Sequence, residues 1–199
     1  MTTLFPVGHY LGVRSEEGRP VHTVRIGWRQ HRLSEDAFAT WVLAHGLPAN
    51  GRAAWTRAEL VDQAEQVEIS TPADHLQALT SDGLVAAVDD AEAFARHHRM
   101  GVFFVGLGNT PEELGQFAIG LPGLGPAATL DPDSYELWQW GSIAPSLWHS
   151  CELRASVTSR DDQSVSPQDA VTEILADLRI LISHGCAYLD VVDPEGVRG

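Results

Sequence analysis

Along this chain strand-like stretches give way to helix-like stretches, and the change happens twice. Pro6-Val7-Gly8-His9-Tyr10-Leu11-Gly12 and Val21-His22-Thr23-Val24-Arg25-Ile26-Gly27-Trp28 alternate or cluster apolar and β-branched residues around the polar turn Ser15-Glu16-Glu17-Gly18, which predicts a hairpin. His31-Arg32-Leu33 predicts a short third strand. The period then lengthens. Phe38, Trp41, Val42 and His45 fall at i, i+3, i+4 and i+7, one face of a helix stopped by Gly46. Thr56-Arg57-Ala58-Glu59 has the capping-box pattern and opens a second helix through Leu60, Val61 and Ala64. Thr71-Pro72 opens a third, ended by Gly83, and Leu84 to Val88 follows as an apolar, strand-like tail.

The same order returns. Val102 to Leu107, a turn at Asn109 to Glu113, Phe117 to Leu121 and Ala127 to Leu130 predict three strands. Asp131-Pro132, Ala144-Pro145 and Ser166-Pro167 then predict three helix starts, because proline is tolerated in a first turn and breaks an interior. Gly185 ends the last helix and Cys186 to Val191 is the second apolar tail. Residue identities repeat as well: Leu33, Asp36, Phe38 and Trp41 align with Leu130, Asp133, Tyr135 and Trp138. Thr71-Pro72-Ala73-Asp74 aligns with Ser166-Pro167-Gln168-Asp169, and Leu79 to Gly83 with Leu181 to Gly185, so the second copy's third helix is two turns longer. The expected fold is α+β, two tandem winged-helix-like repeats (β-β-β-α-α-α) in pseudo-symmetric arrangement, residues 1–99 and 100–199, each folding around its own tryptophan.

Charge narrows the partners. All 13 basic residues are arginine, against 27 acidic ones, for a net charge of −14. A cut after Arg99 leaves 9 Arg and 13 acidic residues before it, 4 and 14 after it. That balance repels polyphosphates and disfavours nucleic acid as a partner. With two cysteines, no charged-then-apolar leader before Phe5 and no membrane-length apolar run, a cytoplasmic location off the membrane is expected.

Leu33-Ser34, the Phe38/Trp41 helix ending in His45-Gly46, Thr56 to Ala64, and Leu76-Gln77-Ala78-Leu79 to Gly83-Leu84 together resemble the peptide-chaperone and leader-peptide recognition modules of ribosomal peptide modification. That family includes the chaperone of pyrroloquinoline quinone biosynthesis. The resemblance covers most of the first copy and, more loosely, the second, and it implies peptide recognition. Two features depart from the family: the duplication, and a long Leu47 to Trp55 loop.

Candidate chemistry is sparse. A winged-helix outline invites a DNA-binding reading, yet Thr71 to Gly83 has two Asp, one His and no Arg, and Ser166 to Gly185 has Asp169, Glu173 and Asp177 with only Arg179. Arg25, Arg29 and Arg32 cluster near the second and third strands, where surface ion pairing is the expected role. His149-Ser150-Cys151 and His184-Gly185-Cys186 hint at zinc, but i and i+2 on a helix point about 200° apart. No metal or cofactor is expected. His97-His98 reads as helix termination, the glycines at 106–108 and 120–125 as turns, and Trp140 with Trp148 as an interface between copies. With no nucleophile, base and orienting group at recognisable spacing, the expected function is non-enzymatic: recognition of an extended peptide or partner protein by strand addition. In that reading His31, Arg32 and Leu33 supply backbone pairing while Leu76 and Leu79 form an apolar wall. The alternative is a winged-helix transcription regulator or a degenerate DNA-binding protein.

Overall fold

The computed structural model describes residues 2–158 and 165–192. The chain begins with β1 (Leu4–Pro6), β2 (His9–Glu16), β3 (Arg19–Ile26) and β4 (Arg29–Leu33), followed by α1 (Glu35–Leu43), α2 (Arg57–Gln66), α3 (Pro72–Ser81) and β5 (Val85–Ala87). After α4 (Ala91–His97) come β6 (His98–Val102), β7 (Val105–Thr110), β8 (Glu113–Gly120), β9 (Pro126–Leu130), α5 (Pro132–Gly141), α6 (Leu147–Thr158), α7 (Pro167–Ser183) and β10 (Ala187–Val191). The architecture is α+β. Two three-stranded antiparallel sheets, β2-β3-β4 and β7-β8-β9, accompany two two-stranded ones, β1-β5 and β6-β10.

Each half therefore starts with a strand absent from the expected β-β-β-α-α-α order. The run 6–12 is not one strand: it breaks at Gly8, which holds φ +112, and Val7 N donates to Leu84 O at 2.8 Å. The run 102–107 breaks in the same way at Phe104, with φ +71, where Phe103 N donates to Cys186 O at 2.9 Å. At each break the chain leaves the meander, so that β1 and β6 pair with the tail strands β5 and β10. Glycine takes that conformation freely, whereas phenylalanine is strained in it. The expected cut at residues 99 and 100 falls inside β6.

The caps follow local chemistry. Ser34 Oγ accepts from Ala37 N at 3.4 Å, an Asp131 carboxylate oxygen accepts from Ser134 N at 3.0 Å, and Thr56/Glu59 and Ser166/Asp169 form full capping boxes. Thr71 departs from expectation: its backbone is left-handed at φ +44 and its side chain makes no cap bond, so α3 relies on Pro72 for its first turn. The helix face drawn through Phe38, Trp41, Val42 and His45 is also incomplete. Val42 is exposed, and His45, beyond the end of α1, turns back to donate from Nδ1 to the carbonyls of Trp41 and Val42 at 3.2 and 3.0 Å.

Trp41 and Trp138 do corresponding work. Trp41 Nε1 donates to Val7 O at 3.2 Å and Leu84 O at 3.1 Å, and Trp138 Nε1 donates to Phe103 O at 3.1 Å, so each indole ties its helix to the strand break of its own half. Phe38 stacks on Trp41 and Tyr135 on Trp138. One core gathers Val24, Trp41, Trp55, Leu60, Leu76 and Leu84. The other gathers Ile119, Trp138, Trp148, Ile174 and Leu178, together with Phe5 and Val7 from the first half. Trp148 is thus a core residue with the Arg96 guanidinium 4.1 Å over its ring, and Trp140 is half exposed; the two do not line a common interface. Among the described residues no helix is long and apolar enough to cross a membrane.

Candidate functional site

β4 is the outermost strand of its sheet. It pairs with β3 along one side, and among the described residues no strand pairs along the other. The turn that leads into it carries Trp28, which is 92% exposed. His31 is half-buried and Arg32 is exposed and ion-paired with Glu16. Leu33 faces the core, as do Leu76 and Leu79 of α3. The three leucines are therefore enclosed packing rather than an open wall, since Leu33, Leu76 and Leu79 are all buried and α3 packs against α1, α2 and β5. What β4 offers a ligand is its backbone edge, Trp28, and the acidic first turn of α1, Glu35 and Asp36.

The other sequence candidates resolve into structural roles. Arg25 and Arg99 approach the buried Asp190 at 3.9 and 3.3 Å, and the Asp190 carboxylate also accepts from Gly27 N at 2.6 Å. His149 bonds Ser146 Oγ through Nδ1 at 2.8 Å, and His184 caps α7 by donating to Ile180 O at 2.9 Å. Cys151 and Cys186 are buried, and burial pushes both thiols up to about 11, which keeps them protonated at neutral pH. Among the described residues no three His, Cys, Asp or Glu side chains converge as metal ligands would. His97 and His98 fold back onto the carbonyls of Ala93 and Phe94 at 2.6 and 2.8 Å, ending α4.

Sequence reasoning missed the charges that join the halves. Asp177 is buried on α7 and receives Arg52 Nη2 at 2.7 Å, Arg52 Nε at 3.0 Å and Arg154 Nη1 at 2.7 Å. Arg52 also holds Asp131 at 2.6 Å. Burial opposes ionisation of Asp131, but the Ser134 amide and Arg52 together keep its carboxyl below the usual range. Arg179, two residues from Asp177, is itself fully buried. It donates to the carbonyls of Leu4 and His45 and to Thr3 Oγ1, and it lies 4.0 Å over the Phe5 ring. Burial lowers its pKa to about 10, so it remains a cation at neutral pH. The signal in the sequence was two ionisable residues, Asp177 and Arg179, inside the otherwise apolar run Ile174 to Ile182, where a charge must find a partner.

The second half also keeps an open cleft of about 150 Å³ between α5, α6 and α7. Leu137 and Ile174 form its floor, and Trp140, Leu153 and Val157 its apolar margin. Comparison of this chain with protein-family models, with curated proteins and with solved structures finds no match.

Proposed function

We propose that this chain is a duplicated, winged-helix-like, non-enzymatic binding protein that takes an extended peptide by strand addition along the outer edge of β4. The observation that carries the reading is that edge: an exposed strand with one side unpaired, entered through a solvent-facing tryptophan. Unpaired edge groups are a template for another strand, and main-chain bonds would supply affinity while alternate side chains supply selectivity. Glu35 and Asp36 beside the edge favour arginine or lysine in the peptide. The duplication draws support from the repeated element order and from the matching indole bonds of Trp41 and Trp138. Kinship with leader-peptide recognition modules belongs to the same proposal and adds the expectation that the peptide is the unstructured end of a longer chain. Cytoplasmic residence also belongs to it.

A DNA-reading role draws no comparable support. α7 is buried, and the exposed face of α3 presents Asp74 and no arginine. The test is titration of the isotopically labelled chain with synthetic peptides that alternate Val or Ile with Arg. Shifts and slowed hydrogen exchange at the amides of residues 29–33 are expected. Amides there that stay unmoved by every peptide end the reading.

A further inference from the structure

We propose that the cleft between α5, α6 and α7 docks the apolar face of a cationic amphipathic helix supplied by another protein, at a site separate from the β4 edge. Three observations converge on it. The first is apolar surface left open beside a cavity. Trp140 is 50% exposed, Leu153 56%, Val157 48% and the neighbouring Ile143 71%, all on or next to two adjacent helices. Soluble chains seldom leave such side chains contiguous without a partner.

The second is size and shape. About 150 Å³ holds one aromatic ring or one leucine-sized group, so the cavity takes a single anchor. Trp140, Leu153 and Val157 line it, and exposed Ile143 is next in the chain to the lining residue Ala144, which calls for a ligand with further apolar groups beside the anchor. A helix presents its apolar side chains in a line, and an anchor at i with neighbours at i+3, i+4 and i+7 would reach cavity and margin together.

The third is charge. Asp133, Glu136 and Glu173 rim the cleft. Among the described residues its single cation, Arg154, is already held by Asp177 at 2.7 Å and by the Asp133 carbonyl at 3.1 Å. Among the described residues the rim therefore carries an excess of negative charge, which selects a basic partner and speeds its approach. A second copy of this chain is disfavoured by the same reasoning, because it would bring another acidic rim on a body of net charge −14.

The test uses the full chain in isothermal titration calorimetry. The probe is a synthetic helix of about five turns, with leucine at the i, i+3, i+4, i+7 positions and arginine with alanine elsewhere. Its controls are a scrambled peptide of identical composition and a version with glutamate in place of arginine. The patterned cationic helix is expected to bind and both controls to fail. Leu153→Asp is expected to weaken binding about tenfold or more, and the pair Glu136→Arg with Glu173→Arg to do the same, while Glu65→Arg on α2 leaves it unchanged. If Leu153→Asp fails to fold, as judged by circular dichroism, the charge-reversed pair carries the test. Equal binding of the scrambled peptide, or indifference to both sets of changes, would overturn the proposal as mere attraction to an acidic protein. Self-association of the chain that Leu153→Asp abolishes would overturn it in favour of a second copy.

Discussion

α1 and α5 hold corresponding places in the two halves, yet their C-terminal turns meet different surroundings. The end of α1 is covered. Trp55 is buried and donates from Nε1 to Leu43 O at 2.8 Å, and Arg179 reaches across from α7 to the carbonyls of Ala44 and His45 at 3.4 and 3.2 Å. The end of α5 is open, with Trp140 half exposed above the cleft. The reason lies in the connections. Residues 44–56 between α1 and α2 form a long loop with a 3₁₀ turn at Pro48–Asn50, and that loop carries both Trp55 and Arg52. Residues 142–146 between α5 and α6 are too short to carry a lid of that kind. Two halves with the same element order thus differ through one loop: the first uses its loop to close itself and grip its neighbour, and the second has an open surface at the matching place.

The third helices of the two halves differ as well. α3 has 10 residues and an exposed polar face, whereas α7 has 17 and is buried along most of its length. The two extra turns do more than preserve one face. α7 packs against α4, α5 and α6 and also receives the first half through Asp177 and Arg179.

The largest expected effect tests the closed end against the open one. Trp55→Ala should destabilise the chain by about 4 kcal/mol, through a cavity and an orphaned carbonyl, while Trp140→Ala should cost about 1 kcal/mol or less. Urea denaturation of the two variants measures the difference, and equal losses would erase the contrast drawn between the halves.

Next in size is the charge at the junction. Asp177→Ala should cost about 3 kcal/mol, because it strands Arg154 and loosens Arg52, against under about 1 kcal/mol for Asp74→Ala on the exposed face of α3. A small loss at Asp177 would mean that the Arg52–Asp177–Arg154 cluster adds little to the joining of the two halves.

The smallest concerns pH. Burial holds His45 down to about 4, with Arg179 adding to the depression and the Val42 and Trp41 carbonyls opposing it. Its ordinary value is about 6.5, so the unfolded chain binds the proton first as pH falls. Stability from this group is complete above that value and is lost as pH drops toward 4, by an amount on the order of 2 kcal/mol. The aligned position at the end of α5 is Ser142, which does not titrate. Thermal denaturation from pH 7 to pH 4 should therefore be flatter for His45→Gln than for the parent chain. Parallel curves would move the sensitivity to other groups such as His98, whose pKa burial also lowers.

Much of this arrangement could be read from local chemistry. Ser34, Asp131, Thr56 with Glu59, and Ser166 announce helix starts because a cap needs only residues three positions apart, and Gly83 and Gly185 mark helix ends by the positive φ that they adopt. Apolar periods, caps and prolines identified the meanders and six of the seven described α-helices, His97-His98 marked the end of the seventh, α4, and the aligned tryptophans marked corresponding anchors. β1 escaped notice because Leu4 to Pro6 is too short to show a period and exists as a strand only through Ala86 and its neighbours, some eighty residues away. Phe104 gave no sign of a break, since its left-handed backbone is imposed by the pairing on either side of it.

For the candidate site the division runs along the same line. The edge character of β4 followed from three strands in a row with nothing after them, whereas the fate of Leu33, Leu76 and Leu79 depended on which surfaces came to face one another. Capping, turns and amphipathic period act over a few residues and are written where they act. The enclosure of Arg179 and Asp177, the lid over α1 and the open cleft beneath Trp140 arise from surfaces far apart in the chain, and their energies exist only once packing has brought those surfaces together and excluded water from between them.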